Sequence, residues 1–436
     1  MKKVALSALA AAMVSGVVYA DSMTLYSDPK TGQVFTAPGE NRIEMGDFVD
    51  AKTVDMADRD QESKFAEYLD GQKKYTKVKS KAKTIEFSGT HYFGLTSATP
   101  ETTSATGDTS TGFELRRNYV QVKAYFNDKD YFRVTMDTTK ELGSTSTTYA
   151  NMFAKYAYLY LDDVLPYTGV EIGIAHRPWI DYEEHNSWHY RSFNKVFLEE
   201  KGTTTEAGVD LVNSADLGFN LKTKTDMFSS EIGMFNGEGY HADKVAKNQQ
   251  NSKDLSLEWR LTAHLLGSGT KLGKNDRTKD TYANLSTYGL ISKNHKDDNA
   301  TIGDAKEYDR SFYGIHGVYN QPEFLIAAQY FKATDDVVLA SASDSKYTGW
   351  SVNAEIRPMT DWTIIGRYDD YKKESESSTV TKITYEGTKK IVALAYKMNK
   401  NVSFIGSGKF INENNSAGID DGQSKKVYMM TTEVKW

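Results

Sequence analysis

The chain has 436 residues, no cysteine, 7 prolines, 28 tyrosines and a formal charge of −6. Without cysteine there are no disulfide scaffolds, thiolate metal sites, thiol nucleophiles or iron–sulfur ligands, and the acidic balance argues against nucleic acid, which needs clustered Lys and Arg. Mean hydropathy is −0.58, as in a soluble protein, yet aromatics reach 12%, a pairing that needs a physical reason.

Met1-Lys2-Lys3 precedes an apolar run from Val4 to Val18, and Val18-Tyr19-Ala20 supplies a small-x-Ala site. Residues 1–20 therefore read as a secretory signal peptide. The run is shorter than the roughly 20 apolar residues that span a bilayer, and no later run is longer. A mature chain in a membrane would cross it with strands, and loss of Lys2 and Lys3 would leave it two units more negative than −6.

Residues 21–83 read as a short periplasmic segment. Two apolar runs between Leu25 and Phe35 flank Pro29-Lys30-Thr31-Gly32 and predict a hairpin. A short helix is expected over 61–69, and the lysine-rich stretch 73–83 reads as a solvated linker.

From Thr84 to Trp436 the pattern turns to period two. Leu255, Leu257, Trp259, Leu261, Ala263 and Leu265 alternate with Ser256, Glu258, Arg260, Thr262 and His264. Similar alternation runs through Trp350–Arg357 and Asp361–Tyr371. Successive strand side chains point to opposite faces, so each segment has one apolar and one polar face. Sixteen candidate strands lie near 84–95, 113–126, 130–139, 151–161, 169–177, 215–223, 227–235, 255–266, 281–291, 310–319, 323–332, 346–357, 361–371, 388–397, 401–411 and 425–436.

A soluble sandwich would show the same alternation. The joins favour a barrel instead, because short ones (127–129, 320–322, 358–360, 398–400) alternate with long polar ones (97–112, 140–150, 236–254, 292–309, 372–387, 412–424). A transmembrane barrel has short turns on one rim and long loops on the other. The join 267–280 breaks the rule, being long where a short turn is expected. The predicted fold class is all-β, a transmembrane antiparallel β-barrel of about sixteen strands. Half of each strand then faces water, which explains the hydropathy. Tyr92, Tyr125, Tyr131, Tyr288, Tyr319, Tyr330, Tyr347, Trp362, Tyr371, Tyr396 and Tyr428 are expected near the two membrane interfaces. The last strand ends in Trp436, similar to the terminal aromatic by which outer-membrane barrels are recognised by their assembly machinery, where Phe is more usual.

Phe113-Glu114-Leu115-Arg116-Arg117-Asn118-Tyr119-Val120-Gln121-Val122-Lys123-Ala124-Tyr125-Phe126 with Asp130-Tyr131-Phe132-Arg133-Val134 resembles the first hairpin of the phosphate-selective porin O and P family. Gly173-Ile174-Ala175-His176-Arg177-Pro178-Trp179 and Gly233-Met234-Phe235-Asn236-Gly237-Glu238-Gly239 are similar to two further segments of it, in matching order over residues 84–436. The resemblance implies a trimeric, sixteen-stranded outer-membrane porin for small anions such as phosphate, with no cofactor. The segment 21–83 lies outside it.

In such a barrel, lumen charges and whatever narrows the pore set selectivity. The join 178–214 is the candidate constriction, with Trp179, Tyr182, Glu183, Glu184, His185, Trp188, His189, Tyr190 and Arg191 near its start. Parity places Arg117, Lys123, Arg133, Arg177, Lys222, Arg260, Arg357, Arg367, Lys409 and Lys435 on the inner wall. The same faces carry Glu86, Asp137, Glu171, Glu231, Glu258, Glu355, Asp369 and Glu433. Arg177 and Arg191 are the candidates for charge near the narrowest point. Both signs occur, and the arginine ladder of the phosphate-selective members does not map onto these positions, so a weakly selective general porin stays open. So does an adhesive or structural barrel acting through its loops.

His185 and His189 stand at i and i+4, as on one helical face, but Asn186 rather than Glu follows the first, unlike the metalloprotease pattern. The oxygen-rich stretch 412–422 has no EF-hand spacing, and no segment supplies a Ser–His–carboxylate constellation. No enzymatic activity and no metal are expected. Expected partners are small hydrophilic solutes, the lipid and lipopolysaccharide of a Gram-negative outer membrane, sister chains in a homotrimer, and the assembly machinery through Trp436.

Overall fold

The computed structural model describes residues 22–31, 33–49, 81–99, 109–138, 152–200, 208–237, 239–240, 254–296, 307–337, 344–377, 380–415 and 423–436. The signal peptide expected over 1–20, the helix expected over 61–69 and most of the oxygen-rich stretch 412–422 lie outside them. The chain divides into Met1–Lys81 and Ala82–Trp436.

In the first unit β1 (Ser22–Ser27) pairs with β2 (Val34–Phe35), the hairpin expected from the sequence, and also with β3 (Ile43–Val49). Asp28 closes the turn by accepting from the Lys30 amide at 2.8 Å, and the Arg42 guanidinium lies 3.5 Å from the Phe35 ring centroid. The third strand is an addition to the sequence reading.

The second unit is a closed antiparallel barrel of sixteen strands. In chain order these are β4 (Thr84–Ala98), β5 (Ser110–Tyr125), β6 (Tyr131–Thr138), β7 (Met152–Leu165), β8 (Thr168–His176), β9 (Ala215–Lys224), β10 (Phe228–Phe235) and β11 (Ser256–Leu266). The series continues with β12 (Tyr282–Lys296), β13 (Glu307–Gln321), β14 (Phe324–Val337), β15 (Asp344–Met359), β16 (Trp362–Ser377), β17 (Val380–Lys397), β18 (Val402–Asn415) and β19 (Gln423–Lys435). Each pairs with its sequence neighbours, and β19 closes on β4 with Glu433 opposite Tyr92. Closure leaves no edge strand, so backbone polar groups are satisfied within the wall.

Alternation sorts the side chains. Along β14, Leu325, Ala327, Gln329, Phe331, Ala333 and Asp335 are buried inside, whereas Ile326 and Tyr330 are exposed outside. Trp436 covers the closing seam: its backbone exchanges hydrogen bonds with Gly89 at 2.9 and 3.1 Å. Its indole N–H donates to His91 Nε2 at 2.9 Å. Gly89 is needed there, because a Cβ would stand 2.5 Å from the indole ring.

Two features depart from simple alternation. A bulge in β5 puts Tyr92 opposite Arg117 and Phe93 opposite Leu115, with Arg116 as the extra residue. A bulge in β7 puts Thr135 opposite Tyr156 and Met136 opposite Ala154, with Lys155 extra. A bulge turns two consecutive side chains to one face, so Arg116 joins Arg117 and Lys155 joins Tyr156 on the inner wall.

The tyrosine expectation is corrected in part. Tyr330, Tyr396 and Tyr428 are exposed on the outer face, but Tyr92, Tyr288, Tyr347 and Tyr371 are buried inside the barrel. Tyr288, Tyr347 and Tyr371 serve an interior apolar core, and Tyr92 packs edge-on against Tyr119.

Candidate functional site

That core is built by the join 178–214. Pro178 starts the helix α1 (Pro178–Asn186), where its missing N–H costs nothing. A 3₁₀ turn follows at Phe197–Glu199. Trp179, Ile180, Tyr182, Trp188, Tyr190, Phe193, Val196, Phe197, Leu198, Val209, Leu211 and Val212 are buried. They form one cluster with inner-wall residues of β12 to β19, among them Tyr288, Phe312, Phe331, Tyr347, Ile365, Ile391 and Ile405. Trp179 stacks on Tyr288 with centroids 3.7 Å apart and an interplanar angle of 13°. Burying each large apolar side chain stabilises this seating by about 1.5–3 kcal/mol.

The join therefore folds into the barrel. Polar contacts fix where it lies. The Gln329 amide donates to Glu183 at 2.6 Å, Asn353 to the Ser187 carbonyl at 2.9 Å, and Arg367 to the Lys195 carbonyl at 2.8 Å. Lys389 lies 3.5 Å from Glu200, and Arg310 donates to the Leu211 carbonyl at 3.3 Å. Across the lumen, Arg116 Nε donates to the Ser192 carbonyl at 2.9 Å. The loop thus leaves β8, packs along β11–β17, touches β5 and returns to β9.

Most of the predicted inner-wall cations meet carboxylates. Arg177 is buried and grips Glu258 through both its Nε and Nη2. Arg191 is clamped between Glu184 and Glu199. Burial would lower its pKa, but Glu199 more than offsets this and holds the guanidinium charged. Arg260, fully buried, lies 3.3 Å from Glu231, Arg357 2.7 Å from Glu355, and Arg367 2.7 Å from Asp369. Lys222 contacts Glu171 at 3.0 Å, Asp181 at 3.3 Å and Glu231 at 3.5 Å. Arg117 reaches Asp137 at 3.4 Å, Lys435 reaches Glu433 at 3.6 Å, and Lys409 is buried on the wall.

The arc β5–β7 differs. Lys123 and Arg133 face each other across β5 and β6, and Lys155 follows on β7. Among the described residues none of the three has a carboxylate within 4.0 Å; tyrosine rings surround them instead. Lys123 Nζ is 5.0 Å from the Tyr131 centroid, and the Arg133 guanidinium 4.9 Å from that of Tyr156. Lys155 Nζ lies 4.6 Å from the Tyr119 centroid. Ring faces attract a cation without cancelling its charge. Arg133 also donates to the Thr135 and Tyr158 hydroxyls at 3.0 and 3.2 Å. Parity reasoning misses Arg116 and Lys155 because it carries no bulge; the adjacent polar pair Arg116-Arg117 is the one sequence sign of it.

Within α1, burial pushes the Glu183 carboxyl up to about 7 against the opposing pull of Arg367. His185 lies beside Asp181, at 3.3 Å, whereas His189 falls beyond the end of α1 and lies 3.2 Å from Glu355. The two histidines therefore share no helical face, and no group of three His, Asp or Glu side chains among the described residues could hold a metal.

No family model and no curated protein matches the chain. Solved structures do. OmpT, an outer membrane protein of Vibrio cholerae, superposes with a TM-score of 0.53 at 15% identity, over 82% of this chain and 99% of that one. Its in-vitro folded trimer form gives 0.52 at 13% identity, over 81% and 99%. OprB of Pseudomonas putida gives 0.52 at 7% identity, over 82% and 94%. The chain shares their fold.

Proposed function

We propose that the chain is an outer-membrane porin through which small hydrophilic solutes diffuse passively, anions ahead of cations. A sixteen-stranded barrel is wider than its own side chains can fill. The inward loop occupies the β11–β17 side, while the inward-facing Arg116, Arg117, Lys123 and Arg133 on the opposite arc keep partial solvent exposure. The long-loop rim faces outward in this reading, and the short turns face the periplasm. The signal peptide expected over 1–20 supports export to the envelope, the aromatic Trp436 on the last strand supports recognition by the assembly machinery, and the trimer form of the Vibrio cholerae protein supports a homotrimer.

One observation carries the anion preference: Lys123, Arg133 and Lys155 stand on one arc with no carboxylate within 4.0 Å among the described residues. A solute passing that arc meets positive charge held on aromatic rings. The ion pairs elsewhere on the wall favour a second reading, a pore of weak selectivity. Inorganic phosphate is the anion the sequence resemblance names, with the partly exposed Lys123 and Arg133 as its donors.

Planar-bilayer recording tests the porin. Stable open steps are expected, and a closed barrel would contradict the reading. Adding phosphate to a chloride current should lower it if phosphate binds; an unchanged current would remove phosphate from the account.

A further inference from the structure

The join 267–281 stands at the rim where every other connection is a tight turn. It is not slack chain. A 3₁₀ turn at Gly269–Lys271 starts it, and Asp276 caps a second turn by accepting from the Thr278 amide at 3.0 Å. Neighbouring wall elements tie it down: Ser268 donates to Asp226 at 2.7 Å, Lys224 to the Leu272 carbonyl at 3.1 Å, and Asn320 to the carbonyls of Arg277 and Asp280 at 3.0 and 2.7 Å. A join held at both ends can place one side chain with precision.

That side chain is Arg277. It projects into the barrel, where Nη1 donates to both Glu355 oxygens at 2.8 Å and to the Tyr190 hydroxyl at 2.9 Å. Glu355, on β15, also takes His189 at 3.2 Å and Arg357 at 2.7 Å. Tyr190 and His189 belong to the inward loop. A second tie runs parallel, from the Tyr282 hydroxyl to the Asn186 carbonyl at 2.8 Å.

We infer that Arg277 is a positioning residue for the constriction: the join 267–281 is a bracket that holds segment 186–190 of the inward loop from the periplasmic side. The loop enters from one rim and is fastened from the other, so the pore cross-section depends on both. The geometry assigns Arg277 no contact with solute in this role. It acts through Tyr190 and Glu355. The inference rests on the porin reading only for its effect on conductance; the fastening itself does not require a pore.

The full chain, folded in detergent, is compared as wild type, Arg277→Ala and Arg277→Lys. Hydrogen exchange is followed on peptides covering 178–200. Arg277→Ala should accelerate exchange over 186–194 by about tenfold or more, as a local opening without loss of the barrel, and Arg277→Lys should restore most of the protection. Heat-modifiable migration on electrophoresis reports the closed barrel. Unchanged exchange in a folded Arg277→Ala barrel would overturn the inference. So would equal acceleration in every strand, or no rescue by lysine, since each marks a general structural role. In bilayers Arg277→Ala should raise current noise and subconductance steps while leaving the sign of the reversal potential unchanged. A silent wild type would instead overturn the porin reading, with the exchange result still deciding the bracket.

Discussion

Lys155 and Tyr119 join two strands that are not neighbours in the wall: the ammonium on β7 donates to the phenol on β5 at 2.8 Å, past the end of the β5–β6 ladder at Val120 and Met136. The lysine is 2% exposed, so its charge is fixed in place. Replacing it with methionine keeps the length and removes the charge. Lys155→Met should lower the anion-over-cation permeability ratio about threefold, roughly 0.6 kcal/mol, the scale of one unit charge a few ångströms away in aqueous surroundings. Bi-ionic potentials measure it; an unchanged ratio would exclude Lys155 from the conduction path.

The Arg177–Glu258 pair behaves differently because both groups are buried. Arg177→Met leaves a carboxylate stranded in the interior, which should cost about 3–5 kcal/mol. The double variant Arg177→Met, Glu258→Gln should recover much of that loss. Denaturant unfolding of the detergent-folded barrel is the check, and equal stability of the single variant and wild type would contradict the pairing.

Glu183 predicts a pH dependence. Its carboxyl is raised from the ordinary 4.5 to about 7, chiefly by burial, so the seated loop holds a proton that the unfolded chain has released. The seated state binds more protons between those two values, so its stability falls as pH rises from about 4.5 to 7 and then levels. Exchange over 178–200 should quicken through that window, and Glu183→Gln should flatten the profile while keeping the contact with Gln329. A steeper profile in the variant would be inconsistent with this assignment.

Trp179 is the largest apolar anchor of α1. Truncating it to alanine removes the stack on Tyr288 and leaves a cavity, at a cost of about 3–5 kcal/mol. The loop should detach from β12 and single-channel conductance should rise. An unchanged conductance with normal barrel folding would mean that the loop does not set the pore size.

Much of this was legible in the sequence, for a physical reason. A strand with one face in lipid and one inside must alternate, and Ser256, Glu258, Arg260, Thr262 and His264 all lie inside as their spacing predicts. The inward loop was legible as a cluster of aromatic and charged residues after β8. Arg116 and Lys155 were not, since each is the extra residue of a bulge and period-two counting assigns it to the wrong face. The buried tyrosines were misplaced because an apolar patch on the inner wall makes sense only once the loop packs against it. The trace of that patch was present in neighbouring apolar pairs such as Tyr330-Phe331 and Ile364-Ile365, whose second members are buried and first members exposed. The long join 267–281 was visible as an exception, but its inward reach depends on Glu355, far along the chain.

In the proposed pore, Lys123, Arg133 and Lys155, which have no carboxylate within 4.0 Å among the described residues, set the charge preference. The reversal potential in asymmetric KCl tests it most directly. An anion-selective sign is expected for the wild type, moving toward zero when Lys123, Arg133 and Lys155 are neutralised together. A cation-selective wild type, or a triple variant with the wild-type potential, would contradict it.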